Sequence, residues 1–249
     1  MPKQLEMMRL RETRIGGLVE LLREKSREFT QPPLIVIGGY ALRAYVPMTR
    51  YSRDCDFAIP KDKAWNIDRI LKWLNGLTVE ALEKADAYAY LRAVQLISAG
   101  KAKIKIALDF MEGGIRDRTG AVFVLDGRFL QDSTVSQIQI ADRLIAIRVP
   151  SYQDYFLLKL MSARPSDVRD LVAMVWKRGH PEPQSLVQRA SEAVSWPGQL
   201  TKNLDVVLQD LSEARFLDSW RGTFLTQEFT EVDKKTVQKK LVKLRAGWK

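Results

Sequence analysis

The spacing of apolar residues along the chain changes near residue 150. Before that point, short apolar runs typical of strands alternate with amphipathic stretches typical of helices. The predicted strands are residues 34–37, 54–59, 90–97, 104–110, 121–125 and 135–147. The predicted helices are residues 40–45, residues 61–74, and residues 4–29 with a break or bend at Gly16 and Gly17. The Ala99-Gly100-Lys101 segment predicts a hairpin between the third and fourth strands.

After Pro150 the spacing is that of helices. Ser151 and Asp154 resemble a capping signal for a helix that runs through Ala163, and Ser166 is a candidate cap for a second helix to about Lys177. Residues 181–249 predict about three more helices. We therefore predict an α+β protein. A small mixed β-sheet flanked by helices occupies residues 1–150, and a helical domain occupies residues 151–249.

The composition is that of an ordinary globular protein, with 46% hydrophobic and 28% charged residues among 249. The N-terminus shows no signal-peptide pattern, and no apolar run reaches the roughly 18 residues of a membrane span. We expect a cytoplasmic protein without membrane contact. A single cysteine and a single histidine essentially exclude a zinc site built from these residues, so carboxylates must hold any metal.

The chain is basic, with 40 Lys and Arg against 30 Asp and Glu and a net charge of +10. Residues 231–249 hold seven basic and two acidic residues, so half of that charge, +5, lies in this segment. Such a balance favours a polyanionic partner such as RNA, DNA or a nucleotide. Two interpretations of the segment stay open: a solvated helix face or frayed tail, and an arm that contacts phosphates.

Candidate chemistry begins with a glycine pair. Gly38 and Gly39 end an apolar strand, and fourteen positions, 40 to 53, separate them from the pair Asp54 and Asp56. Glycine lets backbone N–H groups approach a phosphate closely. Alternation along a strand puts the two aspartates on one face about 7 Å apart, where they can share cations such as Mg²⁺. The segment predicts a phosphate cradle beside a metal site.

A third carboxylate, Asp109, ends the apolar strand at 104–110, and Glu112 is its competitor three residues later. If sheet pairing brings Asp109 beside Asp54 and Asp56, the site has the parts that nucleotidyl transfer needs. The alternatives are a solvated strand end for each acid and a plain turn for the glycine pair.

Two segments resemble the DNA polymerase β-like nucleotidyltransferase superfamily, in particular its AbiEii-like toxin branch. The first is Gly38-Gly39-Tyr-Ala-Leu-Arg43 with Tyr51-Ser52-Arg53-Asp54-Cys-Asp56-Phe57, and the second is Lys159-Leu-Met-Ser-Ala-Arg-Pro-Ser-Asp167-Val-Arg-Asp170. Together they span about residues 34–175. Two positions depart from the pattern: many superfamily members have Gly-Ser at the glycine pair, and relatives often have a basic residue at Ser166.

The resemblance implies a nucleotidyltransferase that uses an NTP and Mg²⁺ or Mn²⁺. The residues predicted for this chemistry are Asp54, Asp56 and Asp109 as the catalytic and metal-binding acids, with Gly38 and Gly39 as the phosphate cradle. The resemblance implies that Ser52 helps to hold phosphate. It further implies that Lys159 neutralises triphosphate charge and that Asp167 and Asp170 shape an interdomain cleft. Arg43 is either a triphosphate contact or an ordinary surface charge.

We therefore expect transfer of an NMP to a hydroxyl acceptor, with RNA or tRNA as the candidate acceptor and a cognate antitoxin as a candidate protein partner. Two alternatives stay open. One is a metal-dependent phosphodiesterase that uses the same carboxylates, and the other is a nucleotide- or RNA-binding protein that keeps the fold without turnover.

Overall fold

The structure, a computed structural model, describes residues 2–48, 50–100 and 102–248. The helices are α1 Pro2–Lys25, α2 Gly38–Ala41, α3 Ile67–Trp73, α4 Gly127–Gln131, α5 Tyr152–Ser162, α6 Pro165–Arg178, α7 Pro183–Ala193, α8 Gly198–Ser212, α9 Phe216–Phe224 and α10 Glu231–Gly247. The strands are β1 Ile35–Val36, β2 Asp54–Ile59, β3 Thr78–Lys84, β4 Ala89–Ala99, β5 Ala102–Glu112, β6 Gly114–Arg116, β7 Val122–Val124, β8 Thr134–Ile140 and β9 Arg143–Val149. Within the described residues, none of these helices has the length and apolar character needed to span a membrane.

The chain divides into two compact units. The first, here the sheet unit, consists of Met1–Ala44, Tyr51–Ile115 and Leu125–Pro150. The second, here the helical unit, consists of Tyr45–Arg50, Arg116–Val124 and Ser151–Lys249. The helical unit thus contains two short segments from the first 150 residues in addition to residues 151–249.

A mixed five-stranded sheet forms the centre of the sheet unit. Its strand order is β1-β2-β5-β4-β3, with β2 and β5 parallel and the other neighbours antiparallel. Helix α1 packs on β5 and on the separate hairpin of β8 and β9, while α3 packs on β4. The predicted α+β class, a mixed sheet with helices followed by a helical part, is confirmed. Strands β2 and β5 are adjacent, so their side chains share one surface of the sheet.

Helix α1 is continuous, so of the predicted break or bend at Gly16 and Gly17 the break is wrong. Its apolar face is buried, with Ile15, Val19 and Leu22 each 0% exposed. A Cβ on Gly16 would lie 3.4 Å from the Ile140 side chain and 3.5 Å from its carbonyl oxygen. Packing of α1 against β5, β8 and β9 therefore outweighs the low helix propensity of glycine.

Several predicted boundaries are also corrected. The helix predicted at 61–74 begins only at Ile67, and β3 lies in a polar segment without a strand pattern. Ser166 does not cap α6, because the cap position is Arg164 and Pro165 is the first helical residue. The Ser151 cap is confirmed, since its hydroxyl accepts from the Asp154 amide. Lys101 of the predicted hairpin turn lies outside the described residues.

After residue 181 the described residues form four helices, α7 to α10, where about three were predicted. The core of the helical unit includes Trp220, which is 0% exposed and stacks on Phe229 with a centroid separation of 4.3 Å. The basic C-terminal segment is a packed helix, since Val237 and Leu241 of α10 are 0% exposed. A capping box between Thr230 and Asp233 fixes the start of this helix.

Candidate active site

Three carboxylates meet on neighbouring strands of the sheet unit. Asp54 and Asp56 lie on β2, and their side chains share one face because alternate strand residues point the same way. Asp109 lies on β5, directly opposite Asp56 in the parallel register. One carboxylate oxygen from each residue lies within 4.8 Å of the others. The structure therefore brings the three predicted acids, called the acidic cluster below, into one place.

The opposite face of β2 belongs to the core. Cys55 and Phe57 are both 0% exposed, and the Phe57 ring stacks on Phe110 at 5.1 Å. Burial, followed by the charges of Asp56 and Asp54, raises the pKa of the Cys55 thiol well above its ordinary value, so the thiol stays neutral. Strand alternation thus sends the carboxylates to one side and the apolar residues to the other.

Gly38 lies directly against the acidic cluster. Its φ of +62° is a left-handed conformation that favours glycine. A Cβ at this position would overlap Oδ2 of Asp56 and lie 2.9 Å from its Cγ. Gly39 follows as a buried residue of α2. Both the conformation and the space therefore require glycine at position 38, and the glycine pair brings bare backbone next to Asp56.

Asp109 is the most enclosed acid of the acidic cluster, with 4% exposure. Its Oδ1 accepts a hydrogen bond from the Tyr90 hydroxyl at 2.6 Å. Nη1 of Arg92 donates to both carboxylate oxygens, at 3.0 and 2.7 Å. Burial raises the pKa of Asp109 above its ordinary value, although the hydrogen bonds from Tyr90 and Arg92 oppose this shift. Burial also raises the pKa of Tyr90 to about 12, so its hydroxyl remains a donor.

Sequence reasoning missed Tyr90 and Arg92 as part of the site. Arg92 lies opposite Asp109 in the antiparallel pairing of β4 and β5. Its Nε donates to Oε2 of Glu80 at 2.9 Å, and Glu80 lies at an irregularity in the pairing of β3 with β4. The sequence did contain one indication of this role: Arg92 is a charged residue in the middle of the apolar run at 90–97. A charged side chain is rarely buried in a protein unless it is paired.

Glu112, the competitor of Asp109, lies three residues further along β5 and caps a helix. Its Oε1 accepts from the backbone amide of Asn66 at 2.8 Å, and its Oε2 accepts from the amide of Ile67 at 2.9 Å. The side chain is 0% exposed, and burial raises its pKa. This carboxylate satisfies the first N–H groups of α3, which explains why α3 begins at Ile67.

The remaining predicted phosphate-binding residues of the sheet unit occupy different places. Ser52 is 6% exposed, and its hydroxyl donates to Oδ1 of Asp54 at 3.3 Å. The Arg43 side chain is also 6% exposed and pairs with Glu12 of α1. Arg43 further donates to the carbonyl of Gln139 in β8. Ser52 therefore adjoins the acidic cluster, whereas Arg43 joins α1 and β8.

The second predicted motif forms a buried ion-pair cluster in the helical unit. Nζ of Lys159 lies 2.9 Å from Oδ1 of Asp167 and 2.7 Å from Oδ2 of Asp170. Arg50 makes a two-pronged contact with Asp170 at 2.7 and 2.8 Å, and Arg164 pairs with Asp167 at 2.6 Å. Burial opposes charge on Asp167, but the cations of Lys159 and Arg164 outweigh it and lower its pKa. These contacts join α5 to α6.

The donor set of the acidic cluster fits a hard divalent cation. All three ligands are carboxylate oxygens, which Mg²⁺ and Mn²⁺ prefer over nitrogen or sulfur. Three carboxylates at this separation also repel one another strongly, and a cation among them relieves that repulsion. Asp54, Asp56 and Asp109 are therefore the residues that could hold such an ion.

Two solved structures from Helicobacter pylori resemble the chain. JHP933 has 15% sequence identity and a TM-score of 0.48 over 92% of this chain and 90% of that chain. A structure described as a "putative nucleotidyltransferase from H. pylori" has 13% identity and a TM-score of 0.48 over 92% of this chain and 93% of that chain. A sequence search of curated proteins gives no match.

The model of one protein family matches most of the chain. This family is described as "Nucleotidyl transferase AbiEii toxin, Type IV TA system", and the match covers residues 20–241. The matched region includes the acidic cluster, the glycine pair and the Lys159 ion-pair cluster. The chain therefore belongs to the AbiEii family of nucleotidyltransferase toxins from type IV toxin–antitoxin systems.

Proposed function

We propose that this nucleotidyltransferase moves an NMP from an NTP to a hydroxyl acceptor and releases pyrophosphate, with Mg²⁺ or Mn²⁺ at the acidic cluster. One observation carries the proposal: oxygens of Asp54, Asp56 and Asp109 lie within 4.8 Å of one another, next to a glycine that touches Asp56. A divalent cation bound there would neutralise phosphate charge and favour departure of pyrophosphate.

The residues of this chain supply orientation and proton transfer. Backbone amides at Gly38 and Gly39 receive the phosphates, because no side chain separates that backbone from the ligand. The Ser52 hydroxyl, 3.3 Å from Asp54, offers a further phosphate contact. The acceptor oxygen forms a bond to the α-phosphorus while the bond from that phosphorus to the leaving pyrophosphate breaks. The acceptor hydroxyl loses its proton as this bond forms, and Asp109 is the carboxylate of the acidic cluster that we propose to orient or deprotonate it.

Lys159, the residue expected to neutralise triphosphate charge, lies between Asp167 and Asp170 within the helical unit. Burial opposes its charge, but the two carboxylates raise the pKa of its ammonium far above the ordinary value. The group thus stays cationic at any physiological pH, but a phosphate would have to compete with Asp167 and Asp170 for it. The same holds for Arg43, because a phosphate would have to compete with Glu12 for its guanidinium.

RNA is the proposed acceptor, because the net charge is +10 and basic residues are concentrated on α10. Lys235, Lys239 and Lys243 are exposed and follow one another at intervals of four residues, which puts them along one face of the helix. Membership of a type IV toxin–antitoxin family also implies an antitoxin that opposes the activity.

The decisive experiment is a label-transfer assay. The purified protein is incubated with each α-³²P-labelled NTP, Mg²⁺ or Mn²⁺, and total RNA. We expect label to enter RNA and the Asp54→Asn/Asp56→Asn variant to lose at least about a hundredfold in rate. Asp62→Asn, an exposed acid outside the acidic cluster, is the matched control and should act as wild type does.

Other outcomes would identify the alternatives. RNA degradation that depends on Asp54 and Asp56 would make the protein a phosphodiesterase. Nucleotide or RNA binding without any product would leave a binding protein with the same fold. Label transfer that survives in the double variant would contradict the proposal itself.

A further inference from the structure

Arg92 already occupies much of the Asp109 carboxylate. An ionised carboxylate offers about four lone-pair positions. Tyr90 and Arg92 make three contacts with the two oxygens of Asp109, at 2.6, 3.0 and 2.7 Å. Asp109, one of the three acids that would hold a divalent cation, is therefore already paired with a cationic side chain of the protein, Arg92.

The position of Arg92 is fixed from a second side. Its Nε donates to Glu80 at 2.9 Å, so the guanidinium joins an acid of β3 to an acid of β5. Glu80 also pairs with Lys105 and would keep a partner if Arg92 were lost. A planar guanidinium bound to two carboxylates loses little freedom and is held more firmly than a lysine ammonium would be.

We infer that Arg92 is a positioning residue that serves as the resident counter-cation of Asp109 and competes with the divalent cation for this carboxylate. The inference rests on the proposed function, in which Asp109 is a ligand of that cation. Arg92 holds Asp109 next to Asp56 when no divalent ion is bound and offsets part of the repulsion within the acidic cluster. The same contact lowers the affinity of the site for a divalent ion, because like charges repel and because few lone pairs remain.

Mn²⁺ binding to the full-length protein without nucleotide tests the inference. Electron paramagnetic resonance of free Mn²⁺ gives the affinity directly and does not depend on turnover. We expect Arg92→Met to bind Mn²⁺ about tenfold more tightly than wild type. A cation beside a carboxylate ordinarily changes the affinity of that carboxylate for a proton at least about tenfold, and we expect the same lower limit for Mn²⁺.

Arg14→Met is the matched control. Arg14 lies on α1, donates to Gln95 at 2.6 Å and touches none of the three acids in any described hydrogen bond or ion pair. It should leave Mn²⁺ binding unchanged.

Melting temperatures with and without Mn²⁺ provide a second measurement. Arg92→Met should be less stable than wild type in the absence of metal and should gain more from Mn²⁺, since the ion then replaces the missing counter-charge. If Arg92→Met does not fold, Arg92→Lys serves in its place. Its smaller head group cannot bridge both oxygens of Asp109 and reach Glu80, so a smaller rise in Mn²⁺ affinity is expected.

Failures of the two proposals look different. If wild type binds Mn²⁺, Asp54→Asn abolishes binding, and Arg92→Met binds no more tightly than wild type, the Arg92 inference is wrong and the metal site stands. If neither wild type nor Arg92→Met binds Mn²⁺ at millimolar concentration, the proposed metal site is itself wrong.

Discussion

Gly38 is the residue whose identity is most tightly constrained at the candidate site. Gly38→Ala would require a positive φ for alanine and would push the Asp56 carboxylate away. We expect nucleotidyl transfer to fall at least about a hundredfold, because a displacement of about 1 Å at reacting groups has this effect. Steady-state label transfer measures it. Gly17→Ala is the control, since a Cβ at Gly17 meets no atom within 4 Å. Equal activity of Gly38→Ala and wild type would contradict the prediction.

Lys159 should be important for stability as well as for any role in binding. Lys159→Met leaves Asp167 with Arg164 and Asp170 with Arg50, but it removes the cation that both acids share. We expect a loss of about 3 kcal/mol in the free energy of unfolding, the lower end for a broken buried ion pair. Urea denaturation followed by circular dichroism measures it. Lys239→Met, at an exposed position, should change stability by less than about 0.5 kcal/mol. A small effect at Lys159 as well would show that its ion pairs are dispensable.

The same cluster predicts a pH dependence. The folded-state pKa of Asp167 lies below the ordinary value of 3.8, so its contribution is complete above that pH and is lost as the pH falls toward the folded-state pKa. The stability difference between wild type and Asp167→Asn should therefore shrink between pH 5.5 and pH 3. Urea unfolding at these pH values measures the difference. A difference that stays constant, or grows as the pH falls, would contradict the lowered pKa.

At the level of elements, β5 carries two acids with separate tasks. Asp109 faces the acidic cluster, whereas Glu112 caps α3 through the Asn66 and Ile67 amides. We expect Glu112→Gln to lose about 1–3 kcal/mol of stability, because a buried amide N–H then lacks its acceptor, and to keep its transfer activity. Asp109→Asn should lower the transfer activity at least about a hundredfold, because it removes a carboxylate of the acidic cluster. Urea denaturation measures the stability of both variants, and label transfer measures their activity. Loss of activity in folded Glu112→Gln would return Glu112 to the list of catalytic candidates.

At the level of the whole molecule, the uneven charge predicts how RNA binding responds to salt. Removal of residues 231–249 would destroy packing, because α10 buries Val237, Leu241 and Leu244. The exposed lysines can be replaced without this damage. A Lys235→Gln/Lys239→Gln/Lys243→Gln variant should lower the slope of log binding constant against log salt concentration by about 2–3 for RNA. Filter binding between 50 and 200 mM salt measures the slope, and an unchanged slope would make the helix face a solubilising surface only.

The sequence predicted the fold class and the family well because both depend on patterns that are local. Strand alternation placed Asp54 and Asp56 on one face, and the change of apolar spacing near Pro150 marked the start of the helical segment. Errors occurred where distant packing decided the outcome. Helix α1 passes unbroken through Gly16 and Gly17 because it packs on β5, β8 and β9, and α3 begins at Ile67 because Glu112, more than forty residues away, caps it.

The amino-acid sequence by itself determined the α+β class, the family and the identity of the three acids that we propose for the site, since these follow from residue type and short-range spacing. Only the tertiary structure decided that Arg92 contacts Asp109, that Arg43 pairs with Glu12, and that Lys159 lies between two aspartates. The physical reason is that an ion pair is chosen by which side chains packing brings within about 3 Å, and burial makes that choice energetically large. Sequence spacing carries no record of it.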